Sequence, residues 1–279
     1  MQGYEAPANA WESHIFAKRM SDYDRDLLDK LCLTGQVGFG RLSQLPKVAF
    51  DKPLKRIRPT SVSPMTFFVR EEAQWISKKE KCPIEDNLVQ LSHAAKNIYT
   101  YLKERGASFF PDIVKNVHSL KSDIETGLWE LIAAGVVTAD SFDNLRALID
   151  PRRRKDQKRR RVQTRFSTGR WSLLQTPDEI DPLAQMEAVC LMLLKRYGVV
   201  FRELLTKEKN IPRWRDLLQA FRRLEDRGEI RGGRFVDGLT GEQFALPYAI
   251  SSLRLMRSKA IAGELVTLSA SDPANIFLG

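Results

Sequence analysis

Three stretches of this 279-residue chain run along a helix-like apolar face, stop at a glycine and turn at once into β-branched residues. That recurrence limits the possible folds more than any other feature. The first is Leu27-Leu28-Asp29-Lys30-Leu31 leading to Gly35-Gln36-Val37, and the second is Gly127-Leu128-Trp129-Glu130-Leu131 leading to Gly135-Val136-Val137. The third is Ala220-Phe221-Arg222-Arg223-Leu224 leading to Gly228-Glu229-Ile230. In each, a leucine stands four residues before the glycine and a β-branched residue two places after it. A helix that ends on a glycine C-cap and feeds directly into a strand has this pattern, because glycine takes the left-handed conformation there without steric cost.

The second and third copies also agree upstream. Leu102-Lys103-Glu104-Arg105-Gly106 parallels Leu194-Lys195-Arg196-Tyr197-Gly198, and that glycine precedes the capping glycine by 29 residues in one copy and 30 in the other. Each unit reads helix, short helix, third helix, strand, the order of a winged helix-turn-helix. Ile124, Leu128, Leu131 and Ile132 line one face of a third helix over 121–134, as Leu217, Leu218, Phe221 and Leu224 do over 213–227. Apolar residues at 230, 235, 244 and 246, with glycines between, predict a wing of short strands, and Pro247 opens a further helix through Lys259. Leu265-Val266-Thr267-Leu268 alternates like a strand, as do Arg165-Phe166 and the run from Trp171 to Leu174. These pieces predict a small β-barrel-like element. Residues 4–34 supply helices over 11–19 and 25–33 with no helix before them, so the first copy reads as a partial winged helix.

The expected fold class is therefore α+β and mainly helical, with tandem winged-helix units and a small β-barrel-like element. The length suits two or three domains at about 100–200 residues each. The divisions fall at 1–84 (partial winged helix and connecting segment), 85–150 (winged helix), 151–175 (basic loop and strands) and 176–279 (winged helix with wing hairpin and barrel strands). Apolar residues at 43% and charged residues at 29% exclude wholesale disorder. No run approaches the roughly 18–20 consecutive apolar residues of a membrane span, and the N-terminus has no signal-peptide pattern. Cys32, Cys82 and Cys190 lie far apart, which predicts a reducing cytoplasmic setting rather than a disulfide framework.

Charge is the other informative feature, because it is unevenly spread. Between 151 and 170 stand Arg152, Arg153, Arg154, Lys155, Lys158, Arg159, Arg160, Arg161, Arg165 and Arg170 against a single acid, Asp156. That segment alone carries +9 of the chain's net +10. A field so concentrated suits a polyanion, nucleic acid before membrane since no amphipathic helix adjoins it, or else belongs to a solvated loop. The third helix of the last unit is basic as well, with Arg213, Arg215, Arg222, Arg223 and Arg227, and Arg231 and Arg234 follow in the wing. Third helix and wing are the parts of a winged helix that meet DNA, so Arg222, Arg231 and Arg234 join the candidate contacts. Gly232-Gly233 offers bare backbone beside them. Trp171 follows the basic run, where it either stacks on an exposed base, worth about 1–3 kcal/mol, or fills the core of its strand.

Catalytic signatures are missing. There is no phosphate-binding Gly-x-x-x-x-Gly-Lys-Ser/Thr loop, and Gly38-Phe39-Gly40 lacks the third glycine of a dinucleotide fingerprint. His14, His93 and His118 have no metal-ligand spacing, and no Ser, Cys or Thr stands in a nucleophile motif. Asp178-Glu179-Ile180-Asp181, between Pro177 and Pro182, reads as an acidic helix start. No catalytic or metal residue is expected.

Several longer runs carry a family resemblance. Gly169-Arg170-Trp171-Ser172-Leu173-Leu174, the stretch from Arg196-Tyr197-Gly198 to Leu204-Leu205, and Arg223-Leu224-Glu225-Asp226-Arg227-Gly228 through Phe244-Ala245-Leu246-Pro247 resemble the Lhr (large helicase-related) proteins. So do Gly3-Tyr4-Glu5-Ala6-Pro7 through Trp11-Glu12, and Leu28-Asp29-Lys30-Leu31-Cys32 through Gly40-Arg41-Leu42. The resemblance covers nearly the whole chain and falls on the region that follows the RecA-like motor and its attached winged helix. It implies tandem winged helices and a small β-barrel, within bacterial ATP-dependent helicases that move 3′ to 5′ on single-stranded DNA in a repair context. The ATP and Mg²⁺ residues of the family's motor are absent, so no catalytic residue carries over and no cofactor is expected in this chain. What it implies is an accessory module that grips single-stranded or junction DNA, or an RNA–DNA hybrid, and organises the motor modules of the same parent chain, with no membrane partner. Two other classes stay open. Tandem winged helices are similar to AlkZ-type DNA glycosylases, although their pair of glutamines separated by one residue is not present. A pure protein-interaction or oligomerisation module is the third.

Overall fold

A computed structural model describes residues 1–43, 60–76, 91–149, 169–174, 181–208, 211–259, 263 and 265–275. In the first unit, β1 (Ala6–Pro7) leads through a π-helical turn (Trp11–Phe16), a short α1 (Ala17–Arg19) and α2 (Arg25–Leu33) to β2 (Val37–Gly40) and β3 (Pro64–Val69). The second unit runs α3 (His93–Arg105), β4 (Ser108–Phe109), α4 (Phe110–Asn116), α5 (Lys121–Ala133), β5 (Val137–Ala139), α6 (Phe142–Ile149) and β6 (Arg170–Leu173). The third runs α7 (Pro182–Tyr197), β7 (Val199–Phe201), a 3-10 turn (Leu204–Lys207), α8 (Trp214–Asp226), β8 (Arg231–Gly233) and β9 (Gln243–Ala245), and α9 (Pro247–Ser258) follows.

All three sheets share one topology. The last strand of each unit lies between the other two and runs antiparallel to both, in the orders β1-β3-β2, β4-β6-β5 and β7-β9-β8. This is the winged-helix arrangement, with the wing as the connection between the second and third strands. The strand of segment 151–175 is thus the central strand of the second sheet, where Trp171 stands opposite Ser108 on one side and Ala139 on the other.

The β-barrel-like element is corrected. Among the described residues the sheets are separate and three-stranded, and Leu265–Leu268 forms no strand: Leu265 is 96% and Val266 76% exposed. Alternation alone does not make a strand, because the stabilising unit is a cross-strand pair, and each sheet here is completed by its own wing strand. The expected strand at Arg165-Phe166 lies outside the described residues.

Helix ends follow the glycine signal. Gly35, Gly135 and Gly228 have φ of 75°, 72° and 77°. Behind the last two, the Val136 amide donates to the Leu131 carbonyl and the Glu229 amide to the Leu224 carbonyl, the six-to-one bond of a Schellman cap. The recurring leucine is the residue whose carbonyl that bond satisfies. Surroundings differ between these caps. A Cβ on Gly228 would meet nothing within 4 Å, whereas on Gly135 it would lie 2.5 Å from the Arg41 carbonyl oxygen. Gly228→Ala is therefore expected to cost about 1 kcal/mol from left-handed strain alone, and Gly135→Ala about two to three times as much, because backbone cannot step aside cheaply. Urea unfolding of the two variants checks this, and equal losses would contradict it.

Among the described residues two apolar cores form, and β3 stands between them. Met65 and Phe67 point into the core shared by the first and second units, with Trp11, Phe39, Leu128, Phe142 and Trp171. Phe68, on the opposite face of the strand, joins Trp75, Leu193, Phe221 and Phe244 in the core of the third unit. Ion pairs fasten the same junctions. Arg146 of α6 binds Glu12 at 2.8 and 2.9 Å and Asp29 at 2.5 Å. Arg196 of α7 pairs with Glu208 and donates to the Gln2 carbonyl at 2.6 Å, while the Tyr197 hydroxyl donates to Glu208 at 2.5 Å.

Candidate nucleic-acid interface

Burial decides which third helix is able to meet a ligand. In α5 every residue from Gly127 to Ala133 is buried. Gly127 lets α3 approach so closely that a Cβ there would sit 2.9 Å from the Ala95 amide nitrogen. The C-terminal half of that helix is a core element, and what its first turns expose is Lys121, Ser122, Asp123 and Thr126, with one cation among them. By contrast, α8 buries only Leu217, Ala220, Phe221 and Leu224, and exposes Arg215, Gln219, Arg222 and Asp226 on the opposite face.

The five arginines of the 213–227 segment separate into three kinds. Arg223 and Arg227 reach back to Glu187 on α7, at 3.1 and 2.6 Å, and tie the two helices together. The hydrogen bond from Arg227, then that from Arg223, hold the Glu187 carboxyl below its usual range. Arg222 pairs instead with Glu242 at the far end of the wing, at 2.9 Å. Arg213 and Arg215 are exposed and make no ion pair with another described residue. The same holds for Arg231 and Arg234 on the wing. Arg215 completes the exposed face, and its spacing of seven residues from Arg222 is the signal that places it there.

Between α8 and the wing lies an open depression whose lining includes Glu225, Gly232, Arg234 and Glu242. The Gly232 amide donates to the Glu225 carboxylate at 2.9 Å, and a Cβ on Gly232 would fall 2.6 Å from that oxygen. The bare backbone anticipated for an anion therefore already holds one, supplied by the protein itself.

Other candidates from the sequence fare differently. Trp171 is fully buried in the core on the central strand of its sheet, so its ring is not offered to a base as the stacking reading requires. Arg170 is exposed but pairs with Asp140 at 2.9 Å. Arg152, Arg153, Arg154, Lys155, Lys158, Arg159, Arg160, Arg161 and Arg165 lie outside the described residues. In chain order they fall between α6 and β6. Asp181 caps α7, accepting from the Leu183 and Ala184 amides at 3.3 Å each, so this part of the acidic cluster is a helix start. Burial pushes the Cys32 thiol up to about 12 and raises that of Cys190, which leaves both protonated at neutral pH. Among the described residues, no group of three or more His, Cys, Asp or Glu is placed to hold a metal, and no helix is long and apolar enough to cross a membrane.

Comparison with known proteins finds the same architecture named. Two family models, each described as the winged-helix domain of the large helicase-related protein, match residues 1–48 and 179–265. The second unit lies between them and carries the same strand order. Over 99% of its length the chain is 31% identical to an Escherichia coli K12 protein named Lhr helicase/uracil glycosylase. It is 28% identical, again over 99%, to a Mycolicibacterium smegmatis protein named Lhr helicase/probable uracil glycosylase. The chain spans 19% of the length of each of these relatives.

Proposed function

Because the chain is related along almost its whole length to the large helicase-related (Lhr) proteins, and carries their winged-helix domains, we propose that it grips the nucleic-acid backbone for a helicase motor. The observation that carries this reading is the exposed cationic face of the third unit, with Arg215 and Arg222 on α8 and Arg231 and Arg234 on the wing. Arg234 lines the open depression between helix and wing, Arg222 pairs with Glu242 of the same lining, and guanidinium suits phosphate oxygens geometrically. The basic segment 151–170 adds a second set of phosphate contacts. Backbone gripping of this kind is indifferent to base identity. The ligand is single-stranded or junction DNA, or an RNA–DNA hybrid, in a cytoplasmic repair setting, and ATP and Mg²⁺ act at the RecA-like modules of the parent rather than here.

Charge–charge binding has a measurable signature. For single strands, log K should fall against log salt with a slope of about 0.7 per phosphate neutralised. Titrating the chain with a single-stranded oligonucleotide between 50 and 200 mM salt measures that slope, and a flat response would reject the reading. Replacing Arg159, Arg160 and Arg161 with alanine should reduce the slope if the basic segment takes part. An unchanged slope moves the contact to α8 and its wing.

A second reading, base excision, is favoured by the words uracil glycosylase in the names of both relatives. Incubation of the chain with uracil-containing DNA, followed by alkaline cleavage, separates the two. Strand breaks that depend on one carboxylate would make the chain itself an enzyme.

A further inference from the structure

The cationic face of the third unit is covered by its own carboxylates. Glu242 sits on Arg222 at 2.9 Å, and Glu225 accepts the Gly232 amide at 2.9 Å, both within the depression beside Arg234. Neither contact is a buried structural tie: the Arg222 side chain is 58% and that of Glu242 47% exposed, and the Gly232–Glu225 hydrogen bond lies at the surface. Exposed pairs of this kind contribute little to stability, and they exchange readily for another anion. Here the two carboxylates occupy the positions where an approaching phosphate oxygen would find a guanidinium and a backbone N–H with no Cβ in front of it.

We infer that Glu225 and Glu242 are intramolecular stand-ins for two backbone phosphates, and that docking of a nucleic-acid strand displaces them. The inference rests on the proposed function and deepens it, by locating the contact and giving it a threshold. The face stays closed to weak or isolated anions. It opens to a strand that delivers several phosphates at once, because only then does the combined gain exceed the loss of the internal pairs. An arginine already neutralised from within also releases fewer counterions on binding. The wild-type salt slope is therefore shallower than the number of arginines on the face would predict.

Removing the stand-ins tests this. Glu242→Gln and Glu225→Gln keep size and hydrogen-bonding capacity but delete the charge. Single-stranded oligothymidylate is the probe, with Glu104→Gln, an exposed carboxylate on α3, as the control for net charge. Each of the two variants is expected to bind about two- to fivefold more tightly than wild type at 50 mM salt, and Glu242→Gln to steepen the slope by roughly 0.7. Glu104→Gln should change neither by more than a fraction of that. In an Arg222→Ala background, Glu242→Gln should lose its effect, since the two residues act as one coupled pair. If wild type binds and the two variants behave like Glu104→Gln, the stand-in inference falls while the proposed function survives. If neither wild type nor variants bind at any salt, both fall.

Discussion

Arg146→Ala is expected to lower the unfolding free energy by about 3–5 kcal/mol, the cost of stranding buried charge. The Arg146 side chain is 8% exposed and faces Glu12 at 13% and Asp29 at 21%. Its guanidinium also donates to the Arg25 carbonyl at 3.2 Å and lies 5.1 Å from the centroid of the Phe142 ring. Burial works against the arginine's charge, but hydrogen bonds to Glu12 and then Asp29 outweigh it and hold the proton more firmly than usual. Without Arg146, Glu12, Asp29 and Asp143, the last 3.6 Å from the guanidinium, lose their common cation at the junction of the first and second units, while the Tyr23 hydroxyl still donates to Glu12 at 2.7 Å.

The pH dependence of this loss has a definite sign. Burial already raises the Asp29 carboxyl above its ordinary range despite Arg146, and deleting the cation raises it further. A carboxylate whose folded-state pKa is raised binds protons more tightly in the folded state, so its destabilising effect is present above that pKa and fades as pH falls through it. The gap between Arg146→Ala and wild type should therefore narrow in mild acid. Adding Glu12→Gln and Asp29→Asn should recover part of the stability at neutral pH. Guanidinium unfolding at two pH values measures both effects. A loss under about 1 kcal/mol at neutral pH would mean that the network is ornamental.

Trp171→Ala should cost a similar amount, about 3–5 kcal/mol, through the cavity that it leaves. The indole is fully buried in the middle strand of the second sheet. Its position next to the basic segment makes the alternative testable in one pair of measurements. A core residue lowers stability on truncation, and Trp171→Phe restores much of it by refilling the volume. A base-stacking residue would instead lower affinity for single-stranded DNA by about 1–3 kcal/mol with stability intact. Unfolding together with a binding titration distinguishes them, and intact stability with weakened binding would overturn the assignment to the core.

Neighbouring residues on the chain met opposite fates for reasons of reach. The boundary of α2 at Arg25–Leu33 and that of α8 one residue inside the expected span are set by local signals, an apolar period and a glycine within four residues. The run Leu265-Val266-Thr267-Leu268 carries an equally clear local signal, yet stays exposed and unpaired with any described strand. A strand requires a partner elsewhere in the chain, whereas a helix turn carries its hydrogen bonds with it. The arginines of α8 divide by the same logic. Arg222 and Arg223 are adjacent in sequence, but one turns to Glu242 and the other to Glu187, 20 residues ahead and 36 behind.

What the residues determine by themselves is the unit and its repetition. Leucine, glycine and β-branched residue at constant spacing specify a helix, its cap and the strand after it, because the left-handed angle at one glycine is a property of that residue and its neighbours alone. Which faces remain open is settled only by tertiary structure. The occlusion of α5, the burial of Trp171 and the carboxylates laid across Arg222 and Gly232 all depend on groups brought together from distant parts of the chain. Long-range packing distributes charge and exposure, and no local pattern records which partner a side chain will find.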